Sequence, residues 1–134
     1  ASKIELKEKK DRVEDAIYAT KAALKEGIVP GGGVALLNAS EKISTDTVGE
    51  ELLLKSITAP YNTILDNAGI EFDAELEEGC GIDVVTNDPV NMVDSGIIDP
   101  VLVTKSALKN AVSVVLTIIS ADCIISNARI DESA

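Results

Sequence analysis

The chain has 134 residues, enough for one domain with its own core, and a formal net charge of −11, which repels nucleic-acid backbones and anionic membranes. It is 46% hydrophobic but only 2% aromatic, which predicts an aliphatic core and argues against stacking platforms for nucleic-acid bases. The absence of histidine excludes histidine-based triads and histidine-bearing zinc sites within the chain. Cys80 and Cys123 are too few for a disulfide framework and are predicted to be reduced thiols. The sequence shows no uninterrupted run of about 18 apolar residues, so no membrane span is predicted. The first residues also lack the apolar core of a signal peptide.

A long helix is predicted over residues 3–26. Its apolar or weakly polar side chains recur at helical spacing, at Leu6, Val13, Ile17, Thr20 and Leu24. Gly27 is expected to end this helix, because glycine adopts a positive φ without steric cost. Asp15 lies where the charged first half of the helix meets its alanine-rich second half. From the residues alone, Asp15 is interpreted as a solvated acid.

A glycine run connects this helix to the next one. Pro30 cannot extend a helix, and Gly31, Gly32 and Gly33 remove every side chain from the approach to the second helix. A tight corner between closely packed helices is one interpretation, and a site for an anion or nucleotide at a helix N-terminus is the other. The corner is favoured, because the run has neither the Lys-Ser/Thr of a P-loop nor a preceding strand pattern.

Helices dominate the middle of the chain. One is predicted from Gly33 to about Ile43, and a second begins at the capping box of Thr47 and Glu50. Pro60 suits the start of a third, which is expected to stop at Gly69. A short acidic helix is predicted near residues 73–78.

Extended structure is predicted after residue 79. A small hairpin is expected around Ile82–Val85 and the turn at residues 87–89, followed by a short helix over residues 90–94. Asp99 is predicted to cap, and Pro100 to begin, a last helix that runs to about residue 120. That helix is apolar on nearly all sides from residue 111 to 119, which predicts burial on several sides. Residues 122–126 are predicted to form a short C-terminal strand.

Several segments, in the same order and at similar spacing, resemble the group I chaperonins (the GroEL family). Residues 7–16 (KEKKDRVEDA) are similar to the signature near the end of the family's intermediate domain. Residues 26–36 (EGIVPGGGVAL) resemble its glycine loop, and residues 91–100 (NMVDSGIIDP) with 103–108 (VTKSAL) resemble its late equatorial segment. The resemblance implies a mainly α fold, a helical bundle of the equatorial-domain type with a small β-hairpin and a short C-terminal strand.

The same resemblance implies an ATP site and two acidic residues that act in it. Asp15 matches the family's catalytic aspartate, which orients and activates the water that attacks the γ-phosphate of ATP. Asp99 matches the acid that hydrogen-bonds the ribose hydroxyls. ATP and Mg²⁺ are therefore the cofactors expected in the complete subunit, whose phosphate loop belongs to the part of the family that this chain lacks.

Five further residues are implied to hold the nucleoside. Gly32 matches a glycine whose backbone lies against it, and Ile97 matches an apolar wall of the pocket. Asp83, Val84 and Val85 align with the stretch that contacts adenine, although the two valines are bulkier than the small residues common there. The interpretation of the glycine run is revised accordingly, from a corner or phosphate site to a nucleoside contact.

The resemblance also implies a division of the chain and a set of partners. Residues 1–26 correspond to an intermediate-domain helix and residues 27–134 to the C-terminal half of an equatorial domain, with the apical domain and the first equatorial half missing. The implied partners are like subunits in a ring, with unfolded proteins and a co-chaperonin bound through the missing domains. A bacterial cytoplasm is the expected location, with the mitochondrial matrix or plastid stroma as alternatives. The chain alone is expected not to hydrolyse ATP, and a stand-alone helical interaction module remains the alternative function.

Overall fold

The structure, a computed structural model, describes residues 2–72, 75–123 and 125. Over these residues the helices are α1 (Lys3–Glu26), α2 (Val34–Lys42), α3 (Val48–Ile57), α4 (Ala59–Ala68) and α5 (Val101–Ile119). The strands are β1 (Ile28–Pro30), β2 (Cys80–Asp83), β3 (Asp88–Asn91) and β4 (Ile98–Pro100). The predicted mainly helical class with a small hairpin is therefore confirmed.

Both ends of α1 are set by local chemistry. Ser2 and Glu5 form a capping box, in which the Glu5 N–H donates to Ser2 Oγ at 3.3 Å and the Ser2 N–H donates to Glu5 Oε2 at 2.7 Å. At the other end Gly27 has φ = 88°, and its N–H donates to the carbonyl of Ala23 at 2.8 Å. The predicted helix over residues 3–26 is confirmed at both bounds.

The starts and stops of α3 and α4 also agree with the predictions. Thr47 and Glu50 form the expected capping box, and hydrogen bonds from the Asp46 backbone and then from Thr47 hold the pKa of the Glu50 carboxyl below its usual value. Pro60 lies in the first turn of α4, and Gly69 ends that helix with φ = 69°. These signals are short-range, which is why the sequence reveals them.

The strands form two antiparallel ribbons. The hairpin of β2 and β3 pairs Cys80 with Asn91 at one end and Asp83 with Asp88 at the other. The second ribbon joins β1 to β4, which lie about 70 residues apart in the chain, and pairs Val29 with Asp99. The sequence does not predict this pairing, because nothing local specifies the partner.

Two predicted short helices are wrong. Residues 75–77 have no regular structure and 78–79 form a turn, while residues 73 and 74 of that predicted helix lie outside the described residues. The predicted helix at 90–94 is instead the end of β3 followed by a turn. Asn91 Oδ1 accepts the N–H groups of Val93 and Asp94, both at 3.1 Å, so a side chain replaces the backbone acceptors that a helix would use.

Helix α5 has the predicted length but not the predicted surroundings. None of its residues is buried, and Leu116 is 59% exposed. The prediction of burial on several sides is wrong because, among the described residues, only α1 and β4 make substantial contact with α5. By length and composition alone α5 could cross a membrane, contrary to the expectation from the sequence, although core helices of soluble proteins share this property. The short C-terminal strand predicted at residues 122–126 is not formed by its described residues, which are 122, 123 and 125. Residues 124 and 126 lie outside the described residues.

The core is small and lies between α2, α4 and the hairpin. Its buried members are Val34, Tyr61, Leu65, Ile82 and Met92. Half-buried apolar side chains surround it, among them Leu37 from α2, Val90 from β3 and Ile97 from the segment before β4. The buried core thus joins parts of the chain that are up to 58 residues apart, from Val34 to Met92, and the candidate site forms at its edge.

Candidate functional site

The pairing of β1 with β4 continues into the start of the glycine run. The Gly31 N–H donates to the carbonyl of Ile97 at 2.9 Å, and the Val101 N–H donates to the carbonyl of Gly27 at 3.1 Å. A Cβ at Gly31 would lie 3.0 Å from the backbone nitrogen of Ile98, closer than side-chain carbons normally approach. Glycine at position 31 therefore permits the two segments to lie backbone to backbone.

The next two glycines turn the chain into α2. Gly32 and Gly33 have φ values of 64° and 82°, in the left-handed region that favours glycine. A Cβ at Gly33 would lie 2.7 Å from the backbone nitrogen of Tyr61, and a Cβ at Gly32 would lie 2.9 Å from Cε of Met92. The glycine run is therefore a tight corner against α4, as predicted from the residues alone.

A cavity of about 240 Å³ lies beside this corner. It is lined by Gly32, Tyr61, Ile64, Leu65, Ile82, Asp83, Val84, Val85, Met92 and Ile97. These residues come from the glycine corner, α4, the end of the hairpin and the segment before β4. The cavity brings together five of the residues predicted to hold a nucleoside, namely Gly32, Asp83, Val84, Val85 and Ile97.

The hairpin end is shaped by Asp83. Its Oδ1 accepts the N–H of Val85 at 2.9 Å, and its carbonyl accepts the N–H of Asn87 at 2.7 Å. Asn87 has φ = 63°, which closes the turn. Val84 is 42% exposed and Val85 is 86% exposed, so these two larger side chains lie at the mouth of the cavity and leave its interior open.

Asp99 is not among the residues that line the cavity. It lies in β4, opposite Val29, and is half-buried. The prediction that Asp99 caps the last helix is wrong: Pro100 occupies that position and makes no side-chain cap, because the pairing of β4 with β1 continues through residue 100. Ile97, two residues earlier and just before β4, does line the cavity, so Asp99 lies close in the chain to a residue of the cavity wall.

Asp15 also lies away from the cavity. It is exposed on α1, about 18 Å before Gly27 at about 1.5 Å per residue. The half-buried residues of α1 are confined to its C-terminal part, at Ala19, Ala22 and Ala23. Near that end Glu26 Oε2 accepts from Lys105 Nζ of α5 at 2.7 Å. Helix α1 is therefore held at its C-terminal end, and Asp15, near the middle of the helix, is exposed.

Tyr61 is a site residue that the sequence analysis missed. It is only 7% exposed. Among the buried side-chain oxygen and nitrogen atoms of the described residues, the Tyr61 hydroxyl oxygen alone lacks a hydrogen bond of good geometry. Desolvation raises the pKa of this hydroxyl, and the nearby Ile82 backbone offsets only part of that shift. The available signal was an aromatic residue in the first turn of α4, in a chain with almost no others.

The lining of the cavity suits an uncharged, apolar ligand group. Its walls are mostly aliphatic, and Asp83 is the acidic residue among them, with one carboxylate oxygen engaged by the backbone. In the described part of the chain, no group of three or more acidic or cysteine side chains could hold a metal ion. These residues therefore fit an uncharged apolar group better than phosphates or a metal ion.

A comparison with protein families matches residues 1–129 of the chain to the TCP-1/cpn60 chaperonin family. Because the match spans nearly the whole chain, the chain belongs to this chaperonin family. The resemblance to chaperonins is thereby confirmed, and the fold is that of the mainly helical equatorial type. Membership connects the chain with chaperonin-assisted protein folding, while the assignment to group I stays a prediction.

Proposed function

We propose that this chain forms the nucleoside side of the ATP site in a chaperonin subunit and supplies the aspartate that activates the hydrolytic water. The observation that carries the proposal is the cavity itself. Gly32, the hairpin end at 83–85, and Ile97 are separated by up to 65 residues, and the fold brings them to one wall. They are also the residues implied by the resemblance, so geometry and family membership support the same assignment.

The base is proposed to lie in the aliphatic cavity. Apolar side chains of Ile97 and Val84 would shield the two faces of the base from water. Because Gly32 has no side chain, the base could approach its backbone closely. The ribose would then extend toward β4, where the carboxylate of Asp99 is suited to accept hydrogen bonds from two hydroxyls. Bound ATP supplies the phosphoanhydride, and Mg²⁺ is proposed to arrive with the phosphates.

Asp15 is proposed to reach the phosphates through movement of α1. A carboxylate can accept a hydrogen bond from the attacking water and orient it toward the γ-phosphate. Helix α1 is anchored at its C-terminal end by Gly27 and by the ion pair of Glu26 with Lys105. A rotation about that end would carry Asp15 through a large arc while leaving the nucleoside cavity unchanged.

Hydrolysis is proposed to drive a folding cycle in a ring of like subunits. The large exposed apolar side chains of α5, including Val114, Leu116 and Ile119, form a surface that this chain leaves uncovered. Such a surface suits contact with other parts of a chaperonin. Unfolded proteins and a co-chaperonin would bind outside this chain.

A phosphate cradle at the glycine run is less well supported. The Gly31 N–H is already donated to Ile97, and the adjoining cavity is aliphatic. A phosphate needs free N–H groups or cations, and a base needs apolar walls. The residues that line the cavity provide apolar walls, so they are better suited to a base than to a phosphate.

The nucleotide site is tested through Asp99 in the assembled chaperonin subunit that carries this sequence. Asp99→Asn is expected to weaken ADP binding by about 10- to 100-fold, because a charged acceptor of hydrogen bonds is lost. Isothermal titration measures the affinity. Asp94→Asn is the matched control, since Asp94 is an exposed acid in the preceding turn, whereas Asp99 is half-buried in β4. Equal affinities for the two variants would contradict the proposed site and favour an interaction module without nucleotide.

A further inference from the structure

The hydroxyl of Tyr61 is buried without a partner at the edge of the candidate site. Tyr61 lines the cavity together with Ile82 and Asp83, and only 7% of its surface is exposed. No group among the described residues makes a hydrogen bond of good geometry with its oxygen, although the Ile82 backbone lies close enough to lower the pKa of the hydroxyl. Buried hydroxyls are normally paired, because leaving one unpaired forfeits its interaction with water.

The chain gains no stability from this hydroxyl as it stands. A phenylalanine ring would fill the same volume between Gly33 and the hairpin and would avoid burying a polar atom. The Ile82 backbone lies near the Tyr61 hydroxyl, and both residues line the cavity. A buried tyrosine hydroxyl is therefore a polar group beside mostly aliphatic walls.

We propose that Tyr61 determines base specificity, its hydroxyl forming a hydrogen bond with the polar edge of the nucleotide base in the cavity. The inference rests on the proposed function, because it takes the cavity to be the base site. Apolar walls bind any flat ring, whereas a single buried hydroxyl distinguishes a base that can pair with it from one that leaves it unpaired. Binding of the base would involve a small adjustment of the Tyr61 ring or of the hairpin end, since the oxygen is covered from solvent in this structure.

Tyr61→Phe in the assembled subunit provides the test, with Tyr18→Phe as the matched control. Tyr18 is the exposed tyrosine of α1 and lies outside the cavity. Tyr61→Phe is expected to keep or raise the melting temperature without ligand, and to weaken ADP binding by about 3- to 10-fold. The increase in melting temperature produced by saturating ADP should shrink accordingly. Tyr18→Phe should change neither quantity.

Three outcomes would overturn the inference, and they are distinguishable. A lower melting temperature without ligand, at unchanged ADP affinity, would show that the hydroxyl serves the fold, with the Ile82 backbone as its partner. Unchanged melting temperature and affinity would show that it serves neither. If the unmodified subunit binds no ADP, the proposed function itself fails, and the role of Tyr61 fails with it.

Discussion

Asp15→Ala is expected to slow ATP hydrolysis by the assembled chaperonin by about 10²- to 10⁴-fold. The change removes the carboxylate that orients the attacking water, and that interaction exists only as the reaction proceeds. Nucleotide affinity should stay within about twofold, because Asp15 lies on α1, away from the residues that line the cavity. Stability should change little as well, since the side chain is exposed on a helix.

Single-turnover hydrolysis and ADP titration together measure this effect. Asp11→Ala is the matched control, because Asp11 is an exposed aspartate one turn earlier on the same helix and should leave turnover unchanged. Weaker nucleotide binding with normal turnover in Asp15→Ala would count against the catalytic role. So would an equal loss of turnover in both variants, which would indicate a general effect on α1.

Gly33→Ala is expected to destabilise the chain by about 2–4 kcal/mol. The residue has φ = 82°, which is unfavourable for alanine by about 1–2 kcal/mol. The added Cβ would also lie 2.7 Å from the backbone nitrogen of Tyr61, and a backbone atom inside α4 cannot move aside as a side chain can. The corner would have to open, which would separate α2 from α4 and deform the cavity.

Urea unfolding followed by circular dichroism measures this loss on the 134-residue chain. Gly49→Ala is the matched control, because Gly49 lies in α3 and a Cβ added there would meet no heavy atom within 4 Å. That variant should gain about 0.4–1 kcal/mol, since alanine restricts the unfolded chain more than glycine does. If Gly33→Ala is as well tolerated as Gly49→Ala, the tight corner is not a requirement of the fold.

The helices were predictable where their ends carry local signals. The bounds of α1 agree with the prediction because the Ser2 capping box and Gly27 act over a few residues. The same holds for Thr47 at the start of α3 and Gly69 at the end of α4. Each of these signals is complete within one turn of the chain, so no knowledge of distant contacts is needed.

The wrong predictions concern segments whose structure depends on contacts with distant residues or on hydrogen bonds from side chains. Residues 90–94 form a strand end and a turn, and not the predicted helix, because β3 pairs with β2. In the turn, the side chain of Asn91 accepts a hydrogen bond from the backbone N–H of Val93. Asp99 is not a cap because β4 pairs with β1 across the chain. Helix α5 was expected to be buried from its composition, but burial depends on what lies around it, and in the described part of the chain only α1 and β4 contact it substantially.

The site was predictable only in part. Five predicted nucleoside residues line the cavity, and that prediction came from the family resemblance, since spacing alone favoured a plain corner at the glycine run. Asp15 and Asp99 lie outside the cavity, so their roles stay predictions. Tyr61 was missed because a tyrosine in a helix has no sequence signal that separates a core ring from a ligand contact; the unpaired hydroxyl becomes apparent only in three dimensions.

The location of the base in an ADP-bound structure of the assembled subunit tests the central proposal most directly. We expect the base to lie in the cavity, within about 4 Å of Val84 and Ile97, with the ribose directed toward Asp99. A base bound elsewhere, with Val84 and Ile97 still covering an unfilled cavity, would contradict the assignment of this chain to the nucleoside side of the ATP site.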